Sequence, residues 1–342
     1  MVLTSKGVWF VKEREVEIRE SVLHPPKSGE ILIKTLFSAI SHGTEMLVYR
    51  GQVPKDLKLD LFIPTMEGSY AFPIKYGYSN VGEVVGTDPH KNSFKPGDIV
   101  FVHAPHETYY CVPAHLATPL SDEVPPKRGI FLANLETTIN VVLDSGVHFG
   151  DNVVIFGQGV IGLLLVILFR RAGADKIFTV DRFERRRELS LSWGADFSYD
   201  PDDKNFIESI IMHTKGVGSD VVIEASGNPE VLNSALRVTA FQGTVVVVSW
   251  YGEKRTGLNL GNAFHRNRLV IKSSQVSNMD PTLAPRWSPK RRMDLALELL
   301  KEIPLEQLIS HVYHFTEAAK AFDKIDRHPE EVIQVALEYG EL

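Results

Sequence analysis

Two stretches of this chain hold residues whose types and spacing could do chemistry. The first, "VVIFGQGVIG" (153–162), sets Gly157, Gly159 and Gly162 in the pattern G-x-G-x-x-G. Its apolar opening reads as a buried strand, and "GLLLVILFRRAG" (162–173) reads as a helix that ends at glycine. On such a strand-to-helix turn, Gly157 allows the tight bend and Gly159 lets the backbone approach a pyrophosphate. Gly162 lets helix and strand pack closely, and Val160 and Ile161 lie at the helix N-terminus that faces the phosphates. Asp181 ends the next predicted strand, "KIFTVD" (176–181), where an acid grips ribose hydroxyls. Its charge repels a 2′-phosphate and favours NAD. Arg182 beside it could attract that phosphate, so NADP stays as the alternative, and Arg186, one turn on, could cover the adenine. The second stretch is "SHGTE" (41–45), with His42 and Thr44. Histidine is the side chain that gives and takes a proton near neutrality, and a hydroxyl can relay one.

These residues need elements to position them. Before about residue 120, short strands such as "EILIKTLFSAIS" (30–41), "VGEVVGT" (81–87), "GDIVFVH" (97–103) and "TYYCVP" (108–113) follow one another with turn signals between. That spacing predicts a small antiparallel barrel or sandwich. From about 137 the rhythm becomes strand and helix in alternation, through "NVVIFG", "RFERRRELSLSWGA", "DVVIEASG", "TVVVVSWYG" and "RLVIKSSQ". Such alternation builds a parallel sheet with helices on both faces, so the fold class is α/β. A helix over 291–303, "RRMDLALELLKEI", and a mixed tail follow.

Length and composition fit this division. The 342 residues are too many for one typical core, and 44% apolar with 23% charged residues is ordinary for a soluble globular protein. A net charge of −6 without a long basic run argues against nucleic acid as a partner. Cys111, the single cysteine, excludes an internal disulfide and a four-cysteine zinc lobe, and suits a reducing cytoplasm. The opening "MVLTSKGVWFVKEREVEI" lacks the pattern of a signal peptide. The most apolar run, 153–169, carries the glycine pattern, so a membrane span is not expected.

With a β-rich part, a G-x-G-x-x-G part and a short tail in that order, the chain resembles the medium-chain dehydrogenase/reductases, the zinc-type alcohol dehydrogenase-like superfamily. "GEILIKTLFSAISHGTE", "VGEVVG", "KPGDIVFV", "GADFSYDP", "DVVIEASGNPEVLNSALRVTAFQGTVVVVSWYG" and "VALEY" carry the resemblance across nearly the whole length. "ISHGTEMLVYRG", "KYGYSNVGEVVG", "LANLETTINVVLDSG" and "FHRNRLVIKSSQVS" are similar to the subgroup named after bacteriochlorophyllide hydroxyethyl dehydrogenase. The resemblance implies a GroES-like catalytic domain over 1–136, a Rossmann domain over 137–274, and a segment over 275–342 that returns to the catalytic domain. It implies nicotinamide and substrate in the cleft between domains. It also implies homo-oligomers joined along the "TVVVVSW" to "LVIKSSQ" sheet edge.

In zinc-dependent members of that family, His42 matches a cysteine ligand, Tyr78 a histidine ligand, Ser79 a glutamate, and Glu136 the third ligand position. Thr44 matches the proton-relay hydroxyl. Tyrosine and serine seldom bind zinc, and a catalytic zinc usually needs three protein ligands. A zinc-free site is therefore expected, and no structural zinc. If zinc binds, His42 and Glu136 with His103 or His106 of "VFVHAPHETYY" would be the ligands. Without zinc, His42 exchanges the proton, Tyr78 donates to the carbonyl oxygen, Thr44 relays, and Glu136 orients His42. The expected activity interconverts an alcohol, a secondary one, with a ketone by hydride transfer to or from NAD(P). The small-molecule substrate could be a polyol, a sugar derivative or a hydroxyethyl-bearing ring. The alternatives are a zinc-free enone or quinone reductase, which needs no alcohol proton relay, and a nicotinamide-binding protein without turnover.

Overall fold

A computed structural model describes residues 3–59, 68–87 and 93–340. The chain forms two compact units, Met1–Ala133 with Ala296–Leu342, and Asn134–Leu295. In chain order the first part contains β1 (Leu3–Lys12), β2 (Glu15–Leu23), β3 (Glu30–Ile40), α1 (Thr44–Tyr49) and β4 (Ile74–Lys75). It continues with β5 (Asn80–Thr87), β6 (Ile99–Val102), β7 (Tyr109–Pro113), β8 (Thr118–Pro119) and α2 (Pro126–Gly129). Then come α3 (Leu132–Ser145), β9 (Val153–Phe156), α4 (Val160–Ala172), β10 (Ile177–Val180), α5 (Glu184–Ser192), β11 (Phe197–Tyr199) and α6 (Phe206–His213). After these follow β12 (Ser219–Glu224), α7 (Val231–Val238), β13 (Thr239–Val247), β14 (Val270–Ser273) and α8 (Pro289–Glu302). The last elements are β15 (Ile309–His314), α9 (Ala318–Arg327) and β16 (Gln334–Glu338).

In the first unit, β3 is the organiser. It pairs antiparallel with β5, β7 and β16, in a sheet ordered β15-β16-β3-β5-β6-β8. A smaller sheet runs β2-β1-β4. Ile31 and Ile33 of β3 join Val84, Val100, Val102, Tyr110 and Val112 in one core. The strand's end, Ile40, joins a second core with Val8, Phe10, Met46, Tyr49, Tyr76 and Phe322. The C-terminal strand β16 thus lies beside the strand that leads into "SHGTE", with Val335 opposite Ile40.

The second unit is a parallel sheet ordered β11-β10-β9-β12-β13-β14. Side chains alternate faces along a strand, and β9 obeys this sharply. Val153 and Ile155 pack with Leu165, Val166 and Phe169 of α4 and Val141 of α3. Val154 and Phe156 pack with Phe206 and Ile210 of α6 and Leu232 and Leu236 of α7. Helices therefore cover both faces, the α/β arrangement expected from the alternating pattern, with the strand order of a dinucleotide-binding fold. The order reverses between β9 and β12, where the glycine turn leaves β9. The apolar run 153–169 is strand, turn and helix. No helix among the described residues is long and apolar enough to cross a membrane.

Candidate active site

The glycine turn is shaped by near contacts. Gly157 has φ +91°, and a Cβ there would lie 2.6 Å from the backbone of Ala225 and Ser226. A Cβ on Gly162 would lie 1.9 Å from the Gly157 carbonyl oxygen. At Gly159 a Cβ would meet nothing within 4 Å, so the space beside it is open to a ligand. Gly159 caps α4 without a side-chain hydrogen bond, which leaves the helix N–H groups around Val160 and Ile161 for an anion. Asp181 is buried and accepts the Gln158 N–H at 2.7 Å and the Phe183 N–H at 2.9 Å, so it joins the turn to the end of β10. Arg186 lies 3.9 Å from this carboxylate. The Arg182 and Arg186 guanidinium groups both sit over the Phe183 ring, at 4.5 and 4.8 Å. An open pyrophosphate space, unbonded helix N–H groups and an acid at the ribose position together fit a nicotinamide dinucleotide.

One support of this turn escaped the sequence reading. Glu224, fully buried at the end of β12, accepts from the Ser226 N–H at 2.8 Å and the Tyr251 hydroxyl at 2.6 Å. It holds the loop that Gly157 must approach. A buried acid at a strand end, followed by a serine two residues later, was the available signal.

In the other unit, "SHGTE" folds as the entry to α1. Ser41 Oγ accepts the Thr44 N–H at 3.2 Å, and Glu45 reaches back to accept the Ser41 N–H at 2.9 Å. This reciprocal pair resembles a capping box lengthened by one residue. His42 is half-buried on the turn. The Ser41 and Thr44 side chains lie beside the Tyr78 phenol and act on it as hydrogen-bonding neighbours. Burial pushes this phenol up to about 12, the Glu45 carboxylate adds to the shift, and the two hydroxyls oppose it. Tyr78 is therefore a neutral hydrogen-bond donor across the working range of an enzyme. Tyr76, edge-on to Tyr78 with ring centroids 6.4 Å apart, is likewise pushed well up by burial. Thr44 and Tyr78, matched to the family site separately, are brought together here, with Ser41 as an unexpected third hydroxyl.

The other residues singled out have these places. His103 Nδ1 lies 3.0 Å from the Tyr78 carbonyl oxygen. His106 is fully buried, with Nδ1 2.8 Å from Ser38 Oγ and Nε2 2.7 Å from a Glu45 carboxylate oxygen. Both of its ring nitrogens are engaged within the protein. Ser79 donates its hydroxyl to the Ile130 carbonyl. Glu136 accepts from Arg292 at 2.7 Å, and the same guanidinium donates to Asn140 Oδ1. Arg292 is 4% exposed, and no sequence motif marked it. Among the described residues, three metal-donor side chains come within 4.8 Å of one another at the exposed trio His328, Glu330 and Glu331.

Residues 160–288 match the family model described as zinc-binding dehydrogenase. The chain is similar to D-guloside 3-dehydrogenase of Escherichia coli, 28% identical over 327 residues that cover 91% of this chain and 93% of that protein. It is also similar to scyllo-inosose 3-dehydrogenase of Thermotoga maritima, 36% identical over 178 residues that cover 50% of this chain and 45% of that protein. Among solved structures, a zinc-binding dehydrogenase of Sinorhizobium meliloti bound to NADP superposes with a TM-score of 0.80 at 21% identity, covering 98% of this chain and 99% of that one.

Proposed function

Since this chain belongs to the zinc-type alcohol dehydrogenase-like medium-chain dehydrogenase/reductase superfamily and is an alcohol dehydrogenase-like oxidoreductase, we propose that it oxidises a secondary alcohol of a polyol or sugar derivative to the ketone, reversibly, without a catalytic zinc. The nicotinamide cofactor, when bound, exchanges a hydride with the carbinol carbon. Gly157, Gly159, Val160, Ile161 and Gly162 would hold its pyrophosphate, and Asp181 its ribose diol, which favours NAD.

The observation that carries the proposal is the convergence of Ser41, Thr44 and Tyr78. Oxidation of an alcohol releases a proton, and reduction of a ketone builds negative charge on oxygen. A phenol that stays protonated donates to that oxygen and stabilises the charge. Thr44 relays the hydroxyl proton, and His42, on the same turn, exchanges it with solvent. Three of the candidate zinc positions support the zinc-free reading. Tyr78 keeps its proton, Ser79 is bonded to backbone, and His106 has both nitrogens engaged. The relatives named for dehydrogenation at a ring carbon of a guloside and an inosose support a cyclic polyol or glycoside as substrate. In the same reading the protein acts in the cytoplasm, and the edge strand β14 joins copies of the chain.

The test is incubation of the purified protein with NAD and a panel of secondary alcohols and polyols, followed at the NADH absorbance, with metal analysis of the same sample. Turnover that survives a chelator, with less than stoichiometric zinc, is expected. One zinc per chain, lost together with activity in His42→Ala, overturns the zinc-free mechanism.

A further inference from the structure

We infer that Glu45 and His106 are positioning residues for the hydroxyl cluster of Ser41, Thr44 and Tyr78, an inference that rests on the reading of that cluster as the site of the reacting oxygen. A buried carboxylate with no partner is expensive, and Glu45 is fully buried. Its two oxygens are used differently. One accepts the Ser41 N–H at 2.9 Å, and the other lies 2.7 Å from His106 Nε2. An ionised carboxylate only accepts, so Nε2 carries the proton of that bond. The far side of the imidazole meets Ser38 Oγ at 2.8 Å, and Ser38 Oγ lies 2.9 Å from the Tyr339 hydroxyl. Tyr339, Ser38, His106, Glu45 and the Ser41 backbone therefore form one connected buried network. It ties the end of β16 and strand β3 to the turn that carries His42 and Thr44.

The network also bears on Tyr78. Gly77 has φ +140°, and a Cβ there would lie 2.9 Å from His106 Cδ2 and 3.0 Å from Nε2. The chain thus runs against the imidazole immediately before Tyr78. The groups around the phenol and its backbone are Glu45 from α1, Tyr70 and Tyr76 from the preceding segment, His103 at the Tyr78 carbonyl, and His106 beside Gly77. Of the charges that act on the phenol, the Glu45 carboxylate is the leading one and raises it. Glu45 then has two effects. It fixes the Ser41–Thr44 turn through a backbone N–H, and its charge adds to the effect of burial in raising the Tyr78 phenol. His106 holds Glu45 in place for both.

The test separates positioning from mere filling of space. Glutamine sets its amide nitrogen as many bonds from Cα as His106 Nε2, and asparagine as many as Nδ1. His106→Gln keeps the donor to Glu45, and His106→Asn loses it. With NAD and the best alcohol of the panel, His106→Asn should lower kcat about tenfold or more, with the NAD dissociation constant unchanged. His106→Gln should recover most of that loss. Glu45→Gln keeps the shape and removes the charge. It should lower kcat and move the titration of Tyr78 to lower pH, read by fluorine NMR of 3-fluorotyrosine-labelled protein with Tyr78→Phe for assignment. Equal kcat in the two His106 variants, or an unmoved Tyr78 titration in Glu45→Gln, overturns the inference. If His106→Asn does not fold, the Tyr78 titration in Glu45→Gln decides alone. That titration needs no substrate, so a panel without turnover would sink the proposed function and leave this inference to be judged by its own measurement.

Discussion

Asp181 and Glu45 are both buried acids that hold a turn through backbone N–H groups, one in each unit of the molecule. Asp181 accepts two such groups, and Arg186, at 3.9 Å, stands beyond hydrogen-bond length. A carboxylate has about four acceptor sites, so Asp181 keeps capacity for a ligand's hydroxyls. Glu45 gives one oxygen to Ser41 and the other to His106, and it is fully enclosed. In the proposed reading the first acid binds a ligand and the second positions other groups. Neither burial nor the number of bonds distinguishes the two acids; the partners do, since Asp181 is held by backbone N–H groups and Glu45 also by the His106 side chain.

The largest effect that would sharpen this contrast is at the cradle beside Asp181. Gly159→Val should abolish binding of NAD and NADP while circular dichroism stays native, because the added side chain fills open space and strikes no neighbour. Unchanged affinity in the calorimeter would place the pyrophosphate elsewhere. On the closed side, Tyr78→Phe removes the donor next to Glu45. It should lower kcat about a hundredfold to a thousandfold, or about 2.7–4 kcal/mol, with cofactor affinity intact. A loss confined to KM would mean that Tyr78 contacts substrate without serving the reacting oxygen.

The same contrast explains what could be read in the sequence. Gly157, Gly159, Gly162 and Asp181 lie within one strand-helix-strand unit, so periodicity and spacing were enough to single them out as candidates. The continuous apolar run of β9 likewise announced a buried strand. The oxygen site is different. Glu45 and His106 are separated by 61 residues, and the Ser38 to Tyr339 bond spans 301. Only the folding of β3 against β16 and of the loop after β6 against α1 brings them together. In the sequence, His106 looked like a spare metal ligand, and Glu45 was not singled out. Arg292 was invisible for the same reason, since its partner Glu136 is 156 residues away. A charged residue inside an apolar helix, as in "TEMLVY", was the one local hint that a buried partner was required.

The smallest expected effect tests whether Asp181 is open in the sense argued. Asp181→Ala removes acceptors for the ribose diol and also the bonds to Gln158 and Phe183. Hydrogen bonds to a charged group contribute about 1.5–3 kcal/mol, so NAD should weaken about tenfold to a hundredfold. NADP should weaken less, because the loss of ribose contacts is offset by relief of repulsion between the carboxylate and the 2′-phosphate. The ratio of NADP to NAD affinity should therefore rise, and the ratio is the useful quantity. Damage to the turn alone, through the lost Gln158 and Phe183 bonds, would weaken both cofactors by the same factor. If calorimetry gives an unchanged ratio, Asp181 acts as Glu45 does, holding a turn. If the parent protein already prefers NADP, Arg182, stacked on Phe183 at the surface, becomes the determinant in its place.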